Sequence, residues 1–311
     1  MKRTHGKRDY KKSSGASSGG ASGAAVGPKG RSKQRIGSSA TDRTRPSQSR
    51  RHPGRSAATP AQADRPSLRD KARWVVGIHS CCETLRVRPK TVREVWLRED
   101  WASSQQLREL QELAERGKVV IREKAVGQLD TIGGGHQGVA LAVTQNPEVS
   151  WELLKEQESG IVLILDGIED PHNLGSILRT SWLTAVSAIF IPADRAVGLT
   201  PAVCKVASGG AEHVAVEAEP NLQTVMERLK ECGYWIYGLA EAGTRPPWGF
   251  VLAKKVAWVI GSEGSGIRKA TERACDELVR IPQVATGSSF NASIACAMAL
   301  SETCRQHGRP E

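Results

Sequence analysis

Between residues 160 and 308 short apolar runs alternate with longer segments of helical spacing. The apolar runs fall at 161–165, 188–192, 213–216, 234–240, 256–261 and 278–282. The helical segments fall near 174–185, 201–208, 221–232, 266–274 and 290–306. This alternation predicts a mainly parallel sheet with helices on both faces. In such sheets ligands bind beyond the carboxyl ends of the strands, so the loops that follow strands are where chemistry is expected.

Residues 72–144 predict a smaller α/β unit. "WVVGIHSCCETLRV" reads as a strand leading into a helix, and "VREVWLRE" alternates as a strand. "SSQQLRELQELAERG" is strongly helical: Ser103 or Ser104 caps it, Leu107, Leu110 and Leu113 recur at helical spacing, and Gly117 ends it. "KVVIRE" is a short strand, and "LDTIGGGHQGVALAVT" is a Gly-rich loop entering a last strand. Residues 145–159 form a linker with a short helix. Residues 1–70 are dominated by Gly, Ser, Ala, Arg and Pro, with Tyr10 their one aromatic. Such a tail buries too little apolar surface to offset its ordering entropy and is expected to be disordered, with order beginning near Ala72.

Charge sharpens this division. The chain carries a formal +11, yet residues 1–70 hold 17 Lys/Arg against 4 Asp/Glu, and the other 241 residues hold 27 against 29. A basic arm on a near-neutral body suggests an anionic partner such as nucleic acid, although a solvated tail without a specific partner has the same composition. The seven cysteines include no C-x-x-C pair, and several sit in apolar segments. That pattern fits a reducing compartment and argues against a disulfide frame or a structural zinc site. No apolar run is long enough to span a bilayer, and the N-terminus lacks a secretory h-region. The tail is Arg- and Ser-rich like a transit peptide, but its early Lys cluster, Asp9 and lack of amphipathic pattern favour a cytoplasmic protein.

Three loops after strands stand out. In "DGIEDPHNLGSILRT", Pro171 biases Asp170 away from helix, Asn173 is a good cap type, and Arg179 lies two turns on. In "VIGSEGSGIRK", Gly261, Gly264 and Gly266 surround Glu263. The spacing is neither the dinucleotide G-x-G-x-x-G nor a P-loop, since Ile267 stands where a Lys is required. In "IPQVATGSSFNASIACAMAL", Ser288, Ser289 and Asn291 precede a helix of small and apolar residues. Each loop alone also fits an ordinary capped helix or flexible turn.

Taken in order, "DPHNLGSILRT", "VIGSEGSGI" and "IPQVATGSSFNASIA" resemble the three signature motifs of the SpoU ribose methyltransferases, within the SPOUT superfamily. The resemblance spans 160–308. Through "VVGIHSCCETL" and "LDTIGGGHQGVALAV", residues 72–144 resemble the substrate-recognition domain that precedes this catalytic domain. It is nearest the branch that methylates a guanosine ribose in 23S ribosomal RNA, with the tRNA-guanosine branch the near relative. The resemblance implies an α/β fold: a Rossmann-like, mainly parallel sheet ending in a trefoil knot. It implies a homodimer that binds S-adenosylmethionine and structured RNA and needs no metal. Carried over residue by residue, it makes Arg179, Asn173, Glu263, Ser289 and Asn291 the catalytic set. Gly238, Leu239, Gly261, Ile281 and Phe290 would hold the cofactor. Arg179 would favour developing negative charge at a phosphate or the 2′-oxygen. The tail would add salt-dependent affinity for RNA. Departures fall on helix bodies: "TSWLTAV" has Ala185 where the family usually has Gly, and Ala292 replaces a common Val. Two rivals remain, a non-catalytic RNA-binding assembly factor on the same fold and a nucleotide-dependent oxidoreductase. Intact Asn173, Arg179 and Asn291 argue against the first, and the missing G-x-G-x-x-G against the second.

Overall fold

The computed structural model describes residues 73–285 and 287–308; the tail expected to be disordered lies outside them. The first four-stranded sheet has the order β1 (Arg73–Val76), β4 (Val139–Val143), β2 (Val92–Arg98), β3 (Val120–Lys124). Strands β2 and β3 are parallel, whereas β4 runs antiparallel to β1 and β2. Helices α1 (Ile78–Val87) and α2 (Gln105–Arg116) share a core with this sheet. In α2 the buried stripe is Leu107, Leu110 and Ala114, the three- and four-residue spacing of one helix face. Ser104 takes the cap position without a side-chain cap bond. The short helix α3 (Val126–Asp130) lays Leu129 against Val76 and Ala140 in a separate small cluster.

The second sheet has six strands, all parallel, in the order β10 (Glu277–Val279), β8 (Trp235–Leu239), β9 (Lys255–Gly261), β5 (Gly160–Asp166), β6 (Ala188–Pro192), β7 (Ala215–Glu219). Strands β5 and β6 are buried along their whole length, which explains their unbroken apolar runs. On one face, α5 (Pro171–Leu183), α6 (Pro201–Ala207) and α9 (Ala292–His307) pack Leu174, Val203 and Leu300 with Leu163 and Trp258. Inside that face the Trp258 indole donates to Thr303 Oγ1 at 2.9 Å. On the other face, α4 (Trp151–Glu156) and α7 (Leu222–Glu231) pack Leu154 and Met226 with Val162 and Phe190. Helix α8 (Lys269–Ala274) follows β9.

Several boundaries differ from the sequence expectation, each for a local reason. Helix α5 begins at Pro171, because Asp170 rather than Asn173 is its cap. Residues 213–214 belong to no strand; they close a 3-10 turn, Gly210–Glu212, with His213 and Val214 N–H both donating to Gly210 O. The segment expected as a helix from 266 starts only at Lys269, because Gly266 has a φ of 65° and pairs with Ser262. The run at 278–282 leaves the sheet after Val279, where the chain pairs instead with Arg245: the Arg280 N–H donates to Arg245 O at 3.0 Å.

Candidate methyl-transfer site

The carboxyl ends of β5, β9 and β10 lead into the three unusual loops. At the first, Asp170 Oδ1 accepts the His172 N–H at 3.0 Å and Pro171 occupies the first helical position. That geometry places Asn173 within the opening turn of α5, where it is buried. Its side chain is not a cap but a link: Asn173 Nδ2 donates to Glu263 Oε1 at 2.8 Å, and Asn173 Oδ1 accepts from Asn291 Nδ2 at 2.8 Å. Asn291 Nδ2 also donates to Glu263 Oε1 at 2.6 Å. Asn291 Oδ1 caps α9 by accepting the Ser293 N–H at 2.9 Å. Three residues from three loops therefore close one triangle, and Oε2 of Glu263 keeps no partner among the described residues.

The Glu263 loop is held from both sides. At Gly261 an added Cβ would lie 2.1 Å from the Gly266 carbonyl carbon, so the loop folds directly over that residue. At its far end the Arg268 backbone N–H donates to Asp166 Oδ2 at 3.0 Å, and the Arg268 guanidinium pairs with Asp166 Oδ1. Asp166 is thus a clamp joining the ends of β5 and the Glu263 loop. Sequence reasoning missed Arg268, because the pairing joins positions 102 residues apart with no local pattern.

Two adjoining cavities flank the triangle. The larger, of about 530 Å³, is lined by Leu239, Gly261, Ile281, Ser289 and Phe290 among others, with Glu263 on its wall. Its size falls within the range of small-ligand sites. The apolar Phe290 and Ile281 suit a flat base, and charges of both signs line the rest: Glu241, Arg280 and the ion pair of Lys269 with Glu272. These residues fit a nucleoside cofactor. Gly238 is not on the wall. It lies behind it, where an added Cβ would approach Cys275 Sγ and Leu278 Cδ2 to 2.9 Å, so its smallness serves packing. The smaller cavity, of about 380 Å³, shares Ser262, Glu263 and Ser265 with the first and is closed by the 166–170 loop, Arg195 and Arg268.

Arg179 lines neither cavity. It is exposed, and no ion pair or hydrogen bond engages it among the described residues. Six residues after Asn173 at about 100° per residue, it points roughly 240° around α5 from the triangle. It shares an outward stripe with His172, Ser176 and Leu183. Ser289 is exposed on the 283–290 loop, where Gln283 Nε2 donates to Ser288 O at 2.6 Å.

The four-stranded sheet docks against α6 and the Gly210–Glu212 turn. Buried Arg73 donates to Glu212 Oε1 and to Asn146 Oδ1, both at 2.5 Å, and to Cys204 Sγ at 3.1 Å. Burial pushes the Cys204 thiol up, so it is a neutral partner. Ser80 Oγ donates to Cys204 O at 2.7 Å, and the Trp182 ring stacks on His213, which faces Glu83 Oε1 at 2.9 Å. No group of His, Cys, Asp and Glu among the described residues could hold a metal ion, and no helix there is long and apolar enough to cross a membrane.

Comparison with known proteins agrees with this geometry. Residues 160–301 match the model of the SpoU rRNA Methylase family, and residues 74–149 match the RNA 2′-O ribose methyltransferase substrate binding model. The chain is 35% identical over 240 residues to the 23S rRNA (guanosine-2′-O-)-methyltransferase RlmB of Pseudomonas putida, covering 75% of this chain and 96% of the relative. It is 37% identical over 243 residues to the protein of that name from Nitrosomonas europaea, covering 76% and 93%. In fold it is similar to the SpoU methyltransferase AviRb of Streptomyces viridochromogenes, solved with AdoMet, with a TM-score of 0.67 and 22% identity over 77% of this chain and 92% of that one. An rRNA methyltransferase from Sinorhizobium meliloti gives a TM-score of 0.63 at 20% identity, covering 75% and 87%.

Proposed function

The chain belongs to the SpoU rRNA methylase family, and from that premise we propose that it methylates the ribose 2′-hydroxyl of a guanosine in 23S ribosomal RNA. The observation that carries this reading is the Asn173–Glu263–Asn291 triangle, closed between two cavities at the carboxyl ends of parallel strands. S-adenosylmethionine, when bound, supplies an electrophilic sulfonium methyl group. The residues of this chain need only hold the acceptor oxygen in line with it and favour loss of one proton. Leu239, Gly261, Ile281 and Phe290 hold the cofactor in the larger cavity, with Gly238 letting the wall close behind them. Asn173 and Asn291 fix Oε1 of Glu263, which leaves Oε2 to accept a hydrogen bond from the ribose hydroxyl. Ser289, across the same cavity, orients the ribose.

Arg179 belongs to this chemistry but not to the cavity of its own chain. A guanidinium stays charged, so its part is to oppose developing negative charge at oxygen rather than to take a proton. Its outward stripe on α5 suits a homodimer in which the Arg179 of one copy completes the site of the other. The same family membership supports a trefoil knot in the C-terminal part of the chain, a catalytic domain over 160–308, an RNA-binding domain over 72–144 and a cytoplasmic setting. The basic segment 1–70 supplies sequence-independent attraction to RNA.

The test is transfer of labelled methyl from S-adenosylmethionine to 23S and transfer RNAs, followed by mapping of 2′-O-methyl positions. A single new 2′-O-methylguanosine in 23S RNA is the expected product. Methylation confined to transfer RNA would redirect the substrate, and no transfer to either would overturn the enzymatic reading.

A further inference from the structure

The smaller cavity is lined by none of Leu239, Gly261, Ile281 and Phe290, yet it opens onto the same Glu263 wall. Its charged groups are not equivalent. Asp166 and Arg268 neutralise one another, and Asp170 is occupied at the start of α5. Glu169 and Arg195 are exposed on the rim and have no ion pair or hydrogen bond among the described residues. Arg195 stands at a φ of 57°, a backbone conformation unfavourable for a residue with a Cβ. Besides Glu263 Oε2 on the shared wall, two free groups, one acceptor and one cation, therefore flank a volume of about 380 Å³ beside the transfer site.

Resting on the methyltransferase reading above, we propose that this cavity receives the base of the target nucleotide and that Glu169 selects guanine. A carboxylate presents two acceptor oxygens and no donor. Guanine is the one common RNA base whose Watson–Crick edge offers two adjacent donors, the ring N1–H and the 2-amino group. Adenine and cytosine bring a ring acceptor to the same position, and uracil brings carbonyls beside its single donor. Each leaves an acceptor facing a negative charge, which costs binding rather than merely failing to add to it. A base seated here has left its stack, as nucleotide-modifying enzymes commonly require. The attached ribose then lies against the wall shared by the two cavities, where Glu263 stands. Arg195 meets the neighbouring phosphate, a contact that positions the strand without reading its sequence.

The test uses the full-length protein and 23S RNA in which the mapped target is guanosine, inosine or adenosine. Inosine keeps the N1–H and lacks the 2-amino group. The wild-type protein is expected to favour guanosine over inosine by about tenfold in kcat/KM, the worth of one hydrogen bond to a charged group. Glu169→Ala is expected to bring that ratio to within about twofold while S-adenosylmethionine affinity, read by calorimetry, is unchanged. Arg195→Ala is expected to raise KM for guanosine and inosine alike and to reduce the salt slope by about one, leaving the ratio intact. A guanosine preference that survives in Glu169→Ala overturns the proposal, as does a wild-type protein indifferent to the 2-amino group. Transfer to none of the RNAs overturns the parent reading and this one with it.

Discussion

Gly261 shows how one missing side chain sets up the site. The backbone at Gly266 and Ile267 passes within 2.3 Å of where its Cβ would stand, so any other residue there forces the Glu263 loop outward. Overpacking of this kind costs about 1–3 kcal/mol. Because the displaced segment is the cavity wall, Gly261→Ala is expected to weaken S-adenosylmethionine binding at least about tenfold. Isothermal calorimetry checks it, and a variant binding within twofold of wild type would count against the loop as a cofactor wall. The type and order of the key residues were legible in the sequence, since Asn173, Glu263 and Asn291 each follow an apolar run. Their roles were less so. Asn173 resembles a cap, but Pro171 fixes the first helical position and hands the cap to Asp170, which leaves Asn173 free to bridge loops 90 and 118 residues away. The clamp between Asp166 and Arg268 carries no periodicity at all and could be found only in three dimensions.

Among the elements, α9 combines a functional cap with a tightly packed body. Asn291 begins it, and Cys296, Ala299 and Leu300 are buried along it. Burial pushes the Cys296 thiol up to about 12, and burial with Asp276 nearby does the same for Cys275. Both thiols are neutral in the fold at physiological pH. An unfolded thiol titrates near pH ~8.5, so the contribution of each to stability is complete below that value and is lost as pH rises toward about 12. Urea unfolding at pH 7.5 and 10.5 should therefore show an alkaline loss that is smaller in Cys296→Ala, by up to about 1.4 kcal/mol per pH unit. Equal losses in the two proteins would reject that role for Cys296. The helices were readable from spacing because their buried stripes repeat. Their ends were not, because Gly266 and Gly209 turn the chain through conformations that hydropathy does not register.

At the level of the whole molecule, the separation of Arg179 from the triangle makes a distinctive expectation. If each site draws Arg179 from the other copy, Arg179→Ala and Asn291→Ala homodimers should both be inactive. Mixed dimers of the two variants should regain about half the activity per site, because one site in each then carries both defects and the other neither. Mixed dimers as inactive as their parents would place Arg179 in its own chain's site. A second expectation concerns the joint between the sheets. Removing one member of a buried ion pair costs about 3–5 kcal/mol, because the other charge is left without a partner. Glu212→Ala should lower unfolding stability by that order, since both Arg73 and Arg88 pair with Glu212, and the double variant Arg73→Met with Glu212→Leu should recover part of it. A Glu212→Ala protein as stable as wild type would show the joint to be incidental. This joint was invisible in the sequence, where Arg73 looks like a polar flank to an apolar strand.

The Arg73–Glu212 joint has a further consequence. The four-stranded sheet shares a continuous apolar core with one face of the six-stranded sheet, and the joint is sealed by Arg73, Glu212, Asn146 and Cys204. Parts attached in this way do not swing independently. Were the smaller sheet to grip an RNA feature, its distance to the methyl donor would be a fixed length, and the molecule would work as a caliper. The proposed target would then be set by how far a guanosine stands from a landmark in folded RNA, as well as by what that guanosine is.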